Sequence, residues 1–326
     1  MPVTDITTDP EALTLTLVAD FAAPVQRLWD AYTDPRQLER FWGPPGYPAT
    51  FTEFDLAVGS HAKYFMTSPQ GESHGGAWEF LEIDDKRSFA VLDYFTDAEG
   101  NAVEGMPASR MTFAFDATAG GSRLVTTTYF TSAEALEQLV GMGMVEGLKL
   151  SLAQLDHVLE GLRAYALGKG TRTEILDDQH VRITRLIEGP RELVWRAHTE
   201  PELMKKWLLG PDGWRMSVCE FEPVAGSSYR YEWEPVGETP GEAFGFDGDL
   251  LVVEPQRRLT NTEHMTGTDY PSTLNDLSLE EEDGVTLITT LIEYPDAQTR
   301  DMVLATGMTD GMETSYARLE RELISA

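Results

Sequence analysis

The sequence reads as an α+β protein made of two tandem copies of one domain. In each copy a curved antiparallel sheet wraps around a long C-terminal helix, with two short helices after the first strand. Three observations lead to this. The chain has 326 residues, more than one hydrophobic core usually serves. A motif near the start returns about halfway along. Each copy also passes from a strand to short helices, then to a run of short strands, then to a helix.

The repeat is direct. Pro24, Trp29, Ala31, Thr33 and Pro35 lie over Pro190, Trp195, Ala197, Thr199 and Pro201 with no gap. One residue of slippage later, Gly43-Pro44 meets Gly210-Pro211, Phe54 meets Phe221, Gly59 meets Gly226 and Tyr64 meets Tyr231. Near the end of each copy Gly143-Met144 matches Gly307-Met308, Gly147 matches Gly311, and Ser151 and Leu155 match Ser315 and Leu319. The domains are therefore expected over 1–168 and 172–326, joined by the Gly-rich stretch Gly168-Lys169-Gly170-Thr171.

Taken in order, Leu13, Leu15 and Leu17 alternate with threonines, as Val181 and Ile183 alternate with polar residues in copy two, so each copy opens on a half-buried strand. Val25, Leu28, Trp29 and Tyr32 follow at helical spacing after Pro24. Asp34 is placed to cap a second helix with Pro35 in its first turn. From about Thr50 to Phe130 short alternating runs between Gly, Asp and Pro read as six strands of an antiparallel meander, repeated from Met216 to Glu293. Thr131 with Glu134 suggests a capping box, and Leu148, Leu152, Leu155, Leu159 and Leu162 line one face of a closing helix. Met308, Met312, Tyr316, Leu319 and Leu323 are its counterpart.

Composition excludes several function classes. No apolar run approaches the roughly 18 to 20 residues of a membrane span, and the first residues lack a secretory pattern, so a cytoplasmic protein without membrane insertion is expected. Cys219 is the only cysteine, which leaves no internal disulfide and no multi-cysteine metal site. It reads as a buried inert thiol. A formal charge of -30 with no basic patch repels phosphate backbones, so nucleic acid is not an expected partner.

The motif Pro-x-x-x-x-Trp-x-Ala-x-Thr-x-Pro, the Gly-Pro turn after it and the Gly-Met-x-(Glu/Asp)-Gly-x-x-x-Ser segment of the closing helix together resemble one known group. It is the heat-shock-protein-90 ATPase activator homologue branch of the START-related helix-grip (SRPBCC) superfamily. The resemblance covers nearly the whole chain, twice. It implies the helix-grip fold and a choice of functions, since members include lipid and polyketide carriers, cyclases, self-sacrifice resistance proteins and chaperone activators. Eukaryotic-type activators carry an unrelated amino-terminal domain where this chain has a second helix-grip copy.

Trp29 and Trp195 sit on the inward stripe of a short helix and read as core. Gly59 and Gly226 read as turns. Gly143, Gly147, Gly307 and Gly311 either mark a kink or leave room for a ligand against the closing helix. The residues expected to line a ligand cavity are Trp42, Tyr64, His74, Trp78, Tyr94, Met144 and Leu148 in copy one. In copy two they are Trp207, Tyr231, Trp233, His264, Met308, Met312 and Tyr316. Tyr129 and Tyr229 are further polar candidates for an inward position. Tyr94 and His264 occupy equivalent positions, as do His74 and Phe244, so the two cavities are expected to differ in preference. No Ser-His-Asp order, metal-ligand spacing or phosphate-binding loop is present, so no catalytic residue, metal or cofactor is assigned.

Three readings stay open. The first is non-enzymatic binding of a hydrophobic small molecule, such as a lipid, polyketide or aromatic metabolite. The second is an enzyme of the cyclase or hydrolase type, which needs a cavity His, Tyr or acidic residue with a perturbed pKa. The third is a chaperone-activator role through a protein partner.

Overall fold

A computed structural model describes residues 2–97, 100–166, 170–210 and 212–324, except for the side chain of Leu323. The Gly168-Lys169 part of the expected linker, Pro211 and the inward role of Leu323 lie outside what is described. The chain divides into two compact units, Met1–Gly161 and Leu162–Ala326.

The first unit runs β1 (Val3–Asp9), β2 (Thr14–Phe21), α1 (Val25–Thr33), α2 (Pro35–Leu38), β3 (Ala49–Phe54), β4 (His61–Thr67), β5 (Ser73–Asp84), β6 (Ser88–Thr96), β7 (Ser109–Thr118), β8 (Gly121–Tyr129), α3 (Ala133–Gly141) and α4 (Met144–Leu159). Its eight strands form one sheet in the order β1-β2-β8-β7-β6-β5-β4-β3. Every neighbouring pair is antiparallel. Alternation along each strand turns one side chain in two toward the helices. Leu17, Phe80, Phe89 and Phe113 from that face pack with Trp29 of α1 and Leu155 of α4 in one buried core.

The second unit begins with α5 (Leu162–Ala166) and continues through β9 (Arg172–Ile175), β10 (His180–Ile187), α6 (Arg191–Thr199), α7 (Pro201–Trp207), β11 (Trp214–Glu220) and β12 (Ser228–Pro235). It ends with β13 (Phe244–Glu254), β14 (Arg258–Met265), β15 (Thr273–Glu282), β16 (Val285–Glu293), α8 (Ala297–Ala305) and α9 (Met308–Leu319), followed by a π-helical turn at Glu320–Ile324. Its sheet order, β11-β12-β13-β14-β15-β16-β10-β9, is that of the first unit. The α+β helix-grip reading of two tandem domains therefore holds.

The structure differs from the sequence reading in four places. Each sheet gains an edge strand, β1 or β9, ahead of the strand the alternation revealed. The first of these carries only Val3 and Ile6 as large apolar residues, too few to alternate. The closing helix is two helices, because Gly143 and Gly307 sit in the left-handed region at φ 92° and 80° and start α4 and α9 afresh. Ser132, rather than Thr131, caps α3, its hydroxyl accepting from the Ala135 amide at 3.1 Å. Finally, Gly161 at φ 107° ends the first unit. Leu162 and Ala166, the former read as the tail of the closing helix, pack with Leu186, Val285 and Leu287 of the second unit. The expected cap at Asp34 is present, accepting from the amides of Arg36 and Gln37.

The two cores differ at one inward cross-strand pair. Cross-strand register pairs Phe89 with Phe113 in the first unit and Leu259 with Leu277 in the second, so the second sheet offers leucine where the first offers phenylalanine. The helices of the second unit return the bulk through Trp207 and Tyr316, which stack at 5.8 Å.

Candidate functional site

On β6, Phe89, Val91 and Asp93 face inward, so a carboxylate is carried into the core by the same alternation that buries its apolar neighbours. Asp93 accepts a hydrogen bond from Trp78 Nε1 at 3.0 Å and one from the Tyr64 hydroxyl at 3.4 Å. Burial pushes its carboxyl up to about 6, against the pull of those two donors. Trp78 lies directly across from Asp93, and Tyr64 lies across from Gly76. The missing side chain of Gly76 makes room for the phenol, since a Cβ there would meet its ring at 2.5 Å. Trp42 closes the group, its ring edge-on to Trp78 at 4.7 Å. Its indole N–H lies beside the Tyr64 hydroxyl without completing a hydrogen bond to it.

On the next strand Ser109 lies directly across from Asp93 on the inner face. It is 2% exposed and its hydroxyl has no partner; neither has that of Thr128, which is 1% exposed. Unmet buried hydroxyls cost free energy, so two of them together mark capacity for a hydrogen-bonding guest.

The second unit places Glu263 at the register position of Asp93: Glu263 pairs with Thr273 as Asp93 pairs with Ser109. Burial raises the Glu263 carboxyl, opposed by hydrogen bonds from Asn275 and Tyr229. The Tyr229 hydroxyl donates to the Thr262 carbonyl at 2.9 Å and accepts from Asn261 Nδ2 at 2.9 Å. Its one proton cannot serve the carboxylate at the same time, so the Asn275 amide is the steadier donor to Glu263. Asn275 Oδ1 is buried without a partner.

The surroundings of the two carboxylates differ. Beside Asp93, Val91, Met111 and Phe113 are 0%, 2% and 1% exposed. Their counterparts beside Glu263 are Asn261, Asn275 and Leu277, and all three remain partly accessible. The inner face is covered more tightly around Asp93 than around Glu263.

Of the residues expected from sequence, Trp42, Tyr64 and Trp78 come together around Asp93. Met144 and Leu148 meet Phe95, Leu15 and Phe130 in a neighbouring cluster. In the second unit Tyr231 and Trp233 stand on the inner face of β12, while Met308 and Met312 pack with Val181, Ile183, Ile292 and Tyr294. The indole N–H groups of Trp207 and Trp233 donate to the carbonyls of Ala197 and Leu208, both at 2.8 Å, and Tyr316 is buried against Trp207. These two indoles have their donors taken up by the backbone.

Three residues expected in the cavities are not there. His74 is exposed near the end of β5. Tyr94 points outward among Lys63, Glu53 and Glu79. His264 also points outward, its Nδ1 3.0 Å from Asp247 Oδ1 and its Nε2 3.1 Å from the Thr268 carbonyl. For Tyr94 and His264 the strand period of two is the reason: the residue before each, Asp93 or Glu263, takes the inward place. Tyr129 is likewise exposed. Asp93, Glu263, Asn261, Asn275 and Ser109 were not anticipated, although counting alternate residues from Phe89 and Leu259 reaches both carboxylates.

Gly311 is exposed, and a Cβ on it would meet nothing within 4 Å, so it does not border the sheet. Cys219 is half-buried, 3.8 Å from the Met204 sulfur, and burial pushes its thiol up to about 11, away from the reactive thiolate. Among the described residues no group of three or more His, Cys, Asp or Glu could hold a metal ion, and no helix is long and apolar enough to cross a membrane.

Two antiparallel sheets, each packed on its own closing helix with one carboxylate turned into the core, define a tandem protein of the START-related helix-grip class. The chain belongs to the family described as activator of Hsp90 ATPase homolog 1-like protein, which matches residues 22–160 and 188–323. Among solved structures it is similar to protein Ms6760 from Mycobacterium smegmatis, at 45% identity over 48% of this chain and 95% of that one, with a TM-score of 0.45. It is also similar to a protein from Arthrobacter aurescens, at 37% identity over 50% of this chain and 95% of that one, with a TM-score of 0.48. DynU16, described as a putative protein in the dynemicin biosynthetic locus, aligns over 95% of this chain and 98% of its own at 14% identity, with a TM-score of 0.36. No curated protein matches the chain.

Proposed function

We propose that this protein binds a hydrophobic small molecule on the inner faces of its helix-grip units, in the cytoplasm, without transforming it. One observation carries this reading. Each inner face sets a hydrogen-bonded carboxylate among apolar and aromatic side chains, next to buried polar atoms that have no partner: Ser109 Oγ and Thr128 Oγ1 in the first unit, Asn275 Oδ1 in the second. Apolar burial would supply the affinity and these groups the orientation. Native mass spectrometry of the purified chain tests it: a small molecule should be retained and should leave on denaturation. A chain that carries no guest, and whose melting temperature no member of a panel of lipids and aromatic metabolites raises, would refute it.

A second reading, an enzyme of the cyclase or hydrolase type, is favoured by the same carboxylates. A carboxyl titrating near 6 in an apolar setting is suited to general acid–base work. Conversion of a retained guest during incubation would distinguish it from binding alone. The family description supports a third reading, activation of a chaperone ATPase through a protein partner.

A further inference from the structure

We propose that the guest of the second unit is an apolar molecule bearing a primary or secondary amine, its ammonium held by Glu263 and Asn275. The inference rests on the binding reading above and gives it a ligand class. The Glu263 carboxylate can accept about four hydrogen bonds, while among the described residues Asn275 and Tyr229 are the side chains that act on it as donors. The Tyr229 proton is already directed to the Thr262 carbonyl. Among the described residues, no lysine or arginine forms an ion pair with Glu263. Beside it Asn275 Oδ1 adds another acceptor with no donor in reach. Two neighbouring acceptors, one of them a carboxyl with no cation beside it, fit a group that offers two or more N–H donors and a positive charge.

The apolar frame has a place as well. The carboxylate acts on the Tyr294 phenol, and Tyr294 packs in the cluster of Ile292, Met308 and Met312. Methionines with three rotatable bonds adapt to a varied hydrocarbon surface. Asn261, Asn275 and Leu277 beside Glu263 are partly accessible where Val91, Met111 and Phe113 of the first unit are buried, so a guest meets less packing here.

The test uses the full chain and two probes that differ only in the head group, n-octylamine and n-octanol, titrated by calorimetry at low and high salt. Salt removes attraction of the ammonium to the acidic surface but leaves a buried pair largely intact. Octylamine is expected to bind at least about tenfold more tightly than octanol at high salt, the size of a charge-assisted hydrogen bond. Glu263→Gln, nearly isosteric, should abolish that preference while leaving octanol binding in place. Asp247→Asn removes the same charge from the outer face and should leave the preference intact. Equal binding of the two probes by the native chain would overturn the amine assignment, with no variant needed. A preference that survives in Glu263→Gln would overturn it too. In both cases binding itself stands. If neither probe binds, the binding reading fails and this inference fails with it.

Discussion

Tyr229 stands directly across the sheet from Gly248, at the pair where the first unit sets Ala62 against Trp78. Large and small have changed strands. One aromatic residue fills the space in each unit, but it reaches the buried carboxylate from a different side, as Trp78 Nε1 at Asp93 and as the Tyr229 hydroxyl near Glu263. This swap is how two copies of one fold come to present different polar groups to the same place.

The exchange leaves Gly248 with no freedom to grow. A Cβ there would lie 2.0 Å from the Thr262 carbonyl oxygen and 3.1 Å from the Tyr229 ring. The backbone must move, so Gly248→Ala should cost about 1–3 kcal/mol. Gly76→Ala meets the outer end of the Tyr64 side chain, which can swing away at the loss of its bond to Asp93. Its cost should be smaller. Hydrogen exchange read by mass spectrometry reports each unit separately, and equal losses in the two variants would contradict this account.

The helix glycines divide into two kinds. Gly143 and Gly307 need a left-handed backbone, so alanine at either should cost about 1–2 kcal/mol with no clash involved. Gly147 and Gly311 lie within helices with open space around a Cβ, so alanine there should add up to about 1 kcal/mol. Because Gly311 is exposed, Gly311→Leu should leave ligand binding unchanged. Thermal denaturation of the four alanine variants decides the first point and calorimetry the second.

The fold was largely legible because its signals are local or repeated. Leu15 and Leu17 announce β2, with Leu13 left in the turn before it, Asp34 caps its helix, and the Gly-Met-x-(Glu/Asp)-Gly segment marks the start of α4 and of α9. The edge strands escaped because β1 alternates little, and an edge strand is recruited by its neighbour more than by its own pattern. The site was legible only in part. Aromatic residues announce themselves, so Trp42, Tyr64 and Trp78 were found. Asp93 and Glu263 read as surface charge, since an acidic residue on a strand is ordinarily exposed. Tyr94 and His264 drew attention one position too late, because sequence alone does not fix which face a half-buried strand turns inward.

Asp93 should make the first unit less stable as pH rises. Its folded pKa of about 6 lies above the ordinary value of 3.8, so the folded state holds the proton more tightly than the unfolded chain. Stability is fullest below about pH 4 and falls through pH 6, by up to about 3 kcal/mol. Asp93→Asn keeps an acceptor for Trp78 and removes the titration. Chemical denaturation of both proteins from pH 4 to 7 should show the variant gaining on the native chain as pH rises, then levelling off. A constant difference would mean that the carboxyl is not held out of water.

His198 should act in the opposite sense in the second unit. It occupies the place of Tyr32, with its ring 4.8 Å from Trp207 and 6.2 Å from Tyr316. Its Nδ1 donates to the Val194 carbonyl at 2.7 Å, while Nε2 is shut off from solvent with no partner. Burial pushes the imidazole down to about 4 from 6.5, so it stays neutral in the fold. The unfolded chain takes up a proton below about 6.5 and the folded chain does not until about 4. Stability from this group is therefore complete above 6.5 and is lost as pH falls, by up to about 3 kcal/mol. His198→Phe has no proton to take up and leaves no orphaned nitrogen. It should match the native chain within about 1 kcal/mol at neutral pH and exceed it by about 2 kcal/mol near pH 4.5. Glu263, whose raised carboxyl favours the same unit in acid, is common to both proteins and drops out of the difference. The comparison thus isolates the histidine, and stability curves that run parallel from pH 7 to 4.5 would show that the ring is reached by water and titrates as it does in the unfolded chain.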